Sequence, residues 1–349
     1  VSEQNRILLE IKGLKKYFPI QQGLLRRVVG HVKAVDDVSF NVRAGETLGV
    51  VGESGCGKTT MGRCLVKLYE PTAGKVLLHT PEKTLSITEL HGQDRRLFRT
   101  SAQIIFQDPY ASLNPRMNIL ETVGEPLLVN GIANGRELEE RVKEVITQVG
   151  LRVEHLRRYP HSFSGGQRQR VGIARALVVH PSLVVADEPV SALDVSIQAQ
   201  ILNLLEDLQA KYNLTYIFVS HNMAVVRYIS DRIAVMYAGK LVELGPKQEL
   251  LSHPRHPYTE LLLAAVPRTV DRQQGHRLVT PGEPPDLSNL PKGCVFQGRC
   301  KYVKDRCRQE EPQVRLVGNG HFASCHFAEE LDLRGIQLRP TSAQIAQPV

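Results

Sequence analysis

The sequence predicts an α/β fold built on a largely parallel sheet. Three observations carry that expectation. Helical and short apolar segments alternate from residue 164 to about 265, which is the rhythm of βαβ units. A strand-like run, residues 47–51, leads into the glycine-rich stretch Gly52-Glu53-Ser54-Gly55-Cys56-Gly57-Lys58-Thr59. A second apolar run, 183–186, ends on the carboxylates of Asp187 and Glu188, and the carboxyl ends of parallel strands are where such sheets gather ligands.

Residues 1 to about 100 read as β-rich. Segments 8–11 and 34–42 alternate apolar with polar residues, and 47–51 has the pattern of a strand buried on both faces. Residues 60–68 suit a helix directly after the glycine-rich turn. From about 110 to 163 the chain reads as helical, with 137–149 placing Leu138, Val142, Val145, Ile146 and Val149 on one face. Then follow a helix over 168–179, a strand over 183–186, a helix over 197–212 and a strand over 215–220. A helix over 224–229 and a strand over 233–237 complete the alternation. Residues 1–265 therefore read as one domain, with an N-terminal β-subdomain and a helical subdomain at about 108–180. Pro281, Pro284, Pro285 and Pro291 mark a linker over 266–290. A small cysteine-rich module follows at 291–328, and 329–349, without periodicity, reads as a disordered tail.

Composition narrows the function classes. The chain has 349 residues, 42% apolar and 23% charged, which excludes a wholly disordered or collagen-like protein. No apolar run approaches the roughly 18–20 residues that span a bilayer, and the N-terminal stretch lacks a signal-type apolar region. The chain is expected not to cross a membrane alone. Lys and Arg number 44 against 36 Asp and Glu, a net charge of +8. The densest basic stretch (Arg26, Arg27, His31, Lys33) is broken by Val and Gly, and no aromatic residues interleave with it. A nucleic-acid partner is not expected.

Residues 52–59 fit G-x-x-x-x-G-K-[ST]. Gly52, Gly55 and Gly57 let the backbone of Ser54, Cys56 and Thr60 close around phosphate oxygens, helped by the dipole of the following helix. Lys58 brings a point charge to the phosphates, and the Thr59 hydroxyl a ligand for Mg²⁺. Asp187 completes the magnesium shell and Glu188 is the candidate general base. Cys56, near a helix N-terminus, is expected to ionise readily and to be sensitive to alkylation. A second anion-binding helix end is signalled by Phe163-Ser164-Gly165-Gly166-Gln167, with Ser164 as N-cap. Two phosphate cradles in one chain are most simply explained by two chains sharing nucleotides across an interface.

With these motifs in order, the chain resembles the ATP-binding cassette ATPases of ABC transporters, and the P-loop NTPase fold of that family is the expected architecture. Ser164 to Gln167 look like the family signature, with Phe163 where Leu is commonest. Gln107, in Ile104-Ile105-Phe106-Gln107-Asp108, is similar to the Q-loop glutamine. Asp194, in Ser191-Ala192-Leu193-Asp194, is similar to the D-loop aspartate, and His221 to the switch histidine. The resemblance implies that Gln107 senses γ-phosphate and Mg²⁺, that His221 contacts the γ-phosphate, and that Ser164, Gly165, Gly166, Gln167 and Asp194 act in trans on ATP bound to the other subunit. It also implies an aromatic ring stacked on adenine, for which Tyr17 and Phe18 qualify and Phe18 is favoured.

Three segments bring the resemblance closer to the oligopeptide/dipeptide importers, to the second of their paired ATPase subunits. These are residues 106–117, residues 187–196 and His256-Pro257-Tyr258-Thr259. The implied partners are a paralogous ATPase, two transmembrane permease subunits docked through Asp108 to Met117, and a periplasmic or extracellular solute-binding protein. The implied location is the cytoplasmic face of the membrane, as a peripheral subunit.

Cys294, Cys300, Cys307 and Cys325 follow C-x5-C-x6-C-x17-C. Four thiolates can hold a [4Fe–4S] cluster or Zn²⁺, or can stay free. The close C-x2–4-C pairs usual for zinc are missing, and the resemblance implies iron–sulfur. Two rival functions stand beside transport. One is a cassette ATPase of DNA repair or translation, against which the short stretch between Gln107 and Ser164 argues. The other is a non-hydrolytic redox regulator, against which Glu188 and His221 argue.

Overall fold

In the computed structural model, which describes residues 6–23, 26–265 and 282–336, the chain opens with a long antiparallel hairpin, β1 (Ile7–Gln22) and β2 (Arg27–Arg43). After it come β3 (Thr47–Val51), α1 (Lys58–Leu65), β4 (Ala73–His79), β5 (Thr84–Ser86), α2 (Gly92–Ser101) and β6 (Ala102–Ile105). Helices α3 (Ile119–Val129), α4 (Gly135–Gln148) and α5 (Gly165–Leu177) precede β7 (Leu183–Asp187). The alternation continues with α6 (Val195–Tyr212), β8 (Thr215–Ser220), α7 (Met223–Ile229), β9 (Arg232–Tyr237) and β10 (Lys240–Pro246). Then follow α8 (Lys247–Ser252), α9 (Pro257–Ala264), α10 (Asp305–Gln309), β11 (Arg315–Gly318) and β12 (His321–Ala323).

Strands β2, β1, β4 and β5 form a four-stranded antiparallel sheet. The main sheet has eight strands in the order β11-β12-β10-β9-β3-β8-β7-β6. It is parallel from β9 to β6 and antiparallel from β9 outward to β11. The parallel strands are buried on both faces, which is why they read as continuous apolar runs. Their side chains alternate between two cores. Val184 and Ala186 of β7, with Tyr216 and Phe218 of β8, join the core lined by α3 to α6. Leu183, Val185, Ile217 and Val219 join the core shared with α1 and the antiparallel sheet. A one-residue slip would exchange these sets, so the register is strongly specified.

That register aligns the carboxyl ends of four strands. Val51 of β3 pairs with Ser220 of β8, Asp187 of β7 with Val219, and Ile105 of β6 with Ala186. The loops leaving them carry residues 52–59, Gln107, Glu188 and His221. Topology alone brings these distant parts of the sequence to one rim.

The cysteine-rich segment is joined to the main sheet. Its strand β12 pairs with β10 at Glu243↔Ala323 and Leu244↔Phe322, so it extends the main sheet. Val295 and Phe296 are buried in the same core as α3 to α6. Residues 329–336 are not the disordered stretch expected of them. Leu333 and Ile336 are buried, and the Ile336 N–H donates to the Leu251 carbonyl. The remainder of that expected tail, 337–349, and residues 266–281 of the expected linker lie outside the described residues. Helix α1 stops at Leu65, short of 68, because Lys67 turns left-handed (φ +55°).

Candidate functional site

The loop between β3 and α1 lies against two other strands, and only glycine allows that. At Gly57 (φ +103°) a Cβ would stand 2.0 Å from the Ala34 carbonyl oxygen, and at Gly52 (φ +155°) 2.2 Å from that of Met236. Both contacts are far inside van der Waals distance, so any side chain would push the loop outward. The Lys58 ammonium is buried and donates to the carbonyls of Gly52 and Glu53, each at 2.8 Å. The loop borders a cleft of about 400 Å³. Ser54, Gly55, Gly57, Lys58, Thr59 and Thr60 form one wall, and Gln107, Glu188 and His221 face them. Ala34 of β2, which no motif marked, also lines it.

Three residues far apart in sequence meet at one carboxylate. Gln107 Nε2 donates to Glu188 Oε2 at 3.0 Å, and His221 Nδ1 lies 3.1 Å from the same oxygen. Glu188 is held left-handed (φ +47°) immediately after β7, its N–H bonded to the Val219 carbonyl. For a glutamate this backbone is strained, and such strain persists where the surroundings over-determine it. The carboxylate lines the cleft with the loop residues, held by Gln107 and His221.

Asp187 is fully buried, and its Oδ1 accepts from the Thr59 hydroxyl at 2.8 Å. Burial raises its pKa, opposed by the Thr59 hydrogen bond and by Arg63. Its Oδ2 has no hydrogen-bond partner. An orphaned carboxylate oxygen beside a threonine hydroxyl is the donor chemistry that a hard cation such as Mg²⁺ takes. A bound cation would favour the ionised form, so its binding is expected to weaken toward acid pH.

Other expectations change in the fold. Cys56 is buried, and burial pushes its thiol up although Lys58 Nζ lies 3.5 Å away. An easily ionised, accessible thiol is therefore not what the structure shows. Phe18 packs edge-on against Tyr69, beyond the far end of α1. Tyr17 instead donates its hydroxyl to Asp36, whose N–H bonds the Gly239 carbonyl, and the Gly239 N–H bonds that of Cys56. Of the two rings, Tyr17 is the one tied to the phosphate loop.

Ser164 caps α5 by a reciprocal box. The Gln167 N–H donates to Ser164 Oγ at 3.4 Å, and the Ser164 N–H to Gln167 Oε1 at 3.1 Å. Ser164 and Asp194 are exposed, and neither they nor Gly165, Gly166 and Gln167 line the cleft of their own chain.

Cys294, Cys300, Cys307 and Cys325 line one narrow cavity together with His256, Phe296 and His326. Its free room is about 10 Å³, near that of one water. Among the described residues no three His, Cys, Asp or Glu side chains are grouped so as to hold a metal ion. As placed, the thiols do not form the expected metal site. Burial pushes Cys294 up to about 12 and Cys325 up to about 11, so both are protonated thiols at neutral pH.

Residues 35–191 match the family described as ABC transporter, and residues 242–307 match the oligopeptide/dipeptide transporter C-terminal region. The chain is 51% identical to the oligopeptide transport ATP-binding protein AppF of Bacillus subtilis (strain 168), covering 92% of this chain and 97% of that one. It is 46% identical to the dipeptide transport ATP-binding protein DppF of Haemophilus influenzae, covering 93% and 97%. Among solved structures it is similar to a bacterial ABC transporter cassette solved as a dimer. There the TM-score is 0.60 at 28% identity, over 69% of this chain and 99% of that one.

Proposed function

The chain belongs to the ABC transporter family of ATP-binding proteins, in the group that carries the oligopeptide/dipeptide C-terminal region, and from that premise we propose that it is the ATPase subunit powering import of di- or oligopeptides or a related small solute. The convergence of Gln107 and His221 on Glu188 Oε2, across the cleft from the phosphate loop, carries this reading. The loop N–H groups and Lys58 bind the phosphates. Thr59, Gln107 and Asp187 would hold Mg²⁺, which when bound neutralises charge on the β- and γ-phosphate oxygens. Glu188 takes the proton of the attacking water, giving ADP and phosphate, while His221 holds the γ-phosphate. Tyr17, linked through Asp36 and Gly239 to the loop, is the better candidate for the adenine.

The exposed N-terminus of α5 supports composite sites. Ser164 to Gln167 and Asp194 lie outside the lining of their own cleft and would complete that of a second ATPase, here taken as a paralogous subunit in a heterodimer. The pair sits under two permease subunits at the cytoplasmic face, served by a solute-binding protein outside. No helix among the described residues is long and apolar enough to cross a membrane, in keeping with a peripheral place. Segment 108–117 suits docking. Asp108 accepts from the N–H groups of Tyr110 and Ala111 to fix the turn, Tyr110 is 65% exposed, and Arg116 is exposed as well. In reconstituted vesicles, Arg116→Glu is expected to abolish peptide-stimulated hydrolysis and uptake and to change basal hydrolysis less than ~2-fold. Uptake at the wild-type rate would remove the docking role from this segment.

The resemblance to the oligopeptide/dipeptide importers, rather than the placement of the thiols, is what favours a [4Fe–4S] cluster, which would have to rearrange them and displace their protons. Anaerobically purified protein is expected to be brown and to lose that colour in Cys300→Ser. Colourless protein with one zinc per chain would assign the site to Zn²⁺, and colourless protein without metal would leave the thiols free.

A further inference from the structure

Glu53, the second residue of the phosphate loop, is gripped from two directions. Its N–H donates to the Tyr258 hydroxyl at 2.8 Å. Its carboxylate accepts both arms of Arg299, Nη1 to Oε2 at 2.8 Å and Nη2 to Oε1 at 2.9 Å. The Glu53 carbonyl is also one of the two that receive the Lys58 ammonium. Both gripping residues are chain neighbours of residues that line the cysteine cavity. Arg299 immediately precedes Cys300, and Tyr258 follows His256 and Pro257, all three of which line it.

The grip is rigid. Tyr258 is fully buried, its ring 4.6 Å from that of Tyr237 and 5.4 Å from that of Phe296. His256 Nδ1 accepts the Tyr258 N–H at 3.1 Å. Burial holds that imidazole down to about 3, so the nitrogen keeps its lone pair. The turn before α9 is fixed in turn by the buried Glu243, which accepts the N–H groups of Arg255 and His256 at 2.7 and 3.0 Å. Arg299 is a side chain only 10% exposed, and a two-armed pair fixes orientation as well as distance.

A loop with three glycines at positive φ has many conformations to lose when it closes on phosphate. Fixing it beforehand removes that cost from binding. We propose that Arg299 and Tyr258 are positioning residues of the phosphate loop, holding Glu53 so that the loop is set for nucleotide and tying nucleotide affinity to the packing around the cysteine cavity. The proposal rests on the assignment of this loop to ATP.

Calorimetric titration of the full chain with Mg-ATP, together with steady-state hydrolysis and thermal unfolding, tests it in Arg299→Ala, Arg299→Lys, Glu53→Gln, Tyr258→Phe and Lys58→Ala. Arg299→Ala is expected to raise Kd and KM for Mg-ATP about tenfold, the scale of a lost charged hydrogen-bonding pair, with a much smaller change in kcat. Glu53→Gln should match it, Arg299→Lys should recover part of the affinity, and Tyr258→Phe should raise Kd by roughly threefold. A purely structural role would lower the unfolding temperature and the folded fraction but leave Kd unmoved in the molecules that fold. Should Arg299→Ala fail to fold, Glu53→Gln and Arg299→Lys carry the measurement. Kd within ~2-fold of wild type in those variants, with binding lost in Lys58→Ala, overturns the positioning role. Binding retained in Lys58→Ala overturns the assignment of the loop itself.

Discussion

Replacing Glu188 with glutamine is expected to cut ATP turnover by ~10²–10³-fold or more, the range for loss of a general base, while Mg-ATP binding persists. The amide keeps the shape of the carboxylate and can still accept the Gln107 Nε2 hydrogen bond that Glu188 Oε2 accepts now at 3.0 Å. It cannot take a proton from water. Nothing in the swap disturbs Asp187 or its bond to Thr59, so the candidate magnesium position is untouched. ATP-bound dimers should therefore accumulate, visible as a shift in size on adding Mg-ATP. Single-turnover and steady-state assays decide the matter, and turnover at the wild-type rate would remove Glu188 from the base role.

Lys58→Ala is expected to weaken Mg-ATP binding by ~10²-fold, since a charged donor to phosphate is worth about 1.5–3 kcal/mol. The ammonium is held in the loop, 2.8 Å from the carbonyls of Gly52 and Glu53, so little ordering cost falls on it when nucleotide arrives. Its removal also takes the ammonium donor from both carbonyls, leaving that of Glu53 only the Cys56 N–H, which loosens the loop further. Calorimetry with ATP measures the effect directly. An unchanged affinity would mean that the cleft is not the nucleotide site.

Much of this architecture is legible in the residues because the parallel strands are buried on both faces. Runs such as 47–51 and 215–220 announce themselves as apolar stretches closed by glycine or a polar residue, and they are β3 and β8 within the same limits. Residues 52–59, 183–188 and 221 carry their chemistry in their spacing, and the sheet register then gathers them. What sequence hides is long-range pairing. Strand β10 contains Glu243, which breaks the apolar pattern, and its burial is tolerable only because Arg255, His256 and His321 supply it with donors. Strand β12 has three residues, too few for any periodicity. The Cys56 thiol misled for a related reason. A helix end favours the thiolate, but desolvation opposes it more strongly, and burial is known only once β2 and β9 have closed over the loop. The segment around Tyr258 was legible as a family mark, yet its hydroxyl reaches Glu53 across a distance in sequence that no local rule spans.

The addition of β12 and β11 to the main sheet has a consequence for the chain's behaviour in crowded solution. Strand β10 is buried along nearly its whole length, and on its outer side β12 takes up backbone groups at Glu243 and Leu244. The sheet therefore ends on β11, a strand of four residues that begins with a charged Arg315, a poor template for recruiting strands from other molecules. A chain cleaved ahead of Arg315 would present β10 instead, with unpaired N–H and C=O groups along its rim and Glu243 without the His321 partner. The β11–β12 hairpin thus covers an edge that could otherwise pair with other chains, a protection supplied by residues far from the cleft.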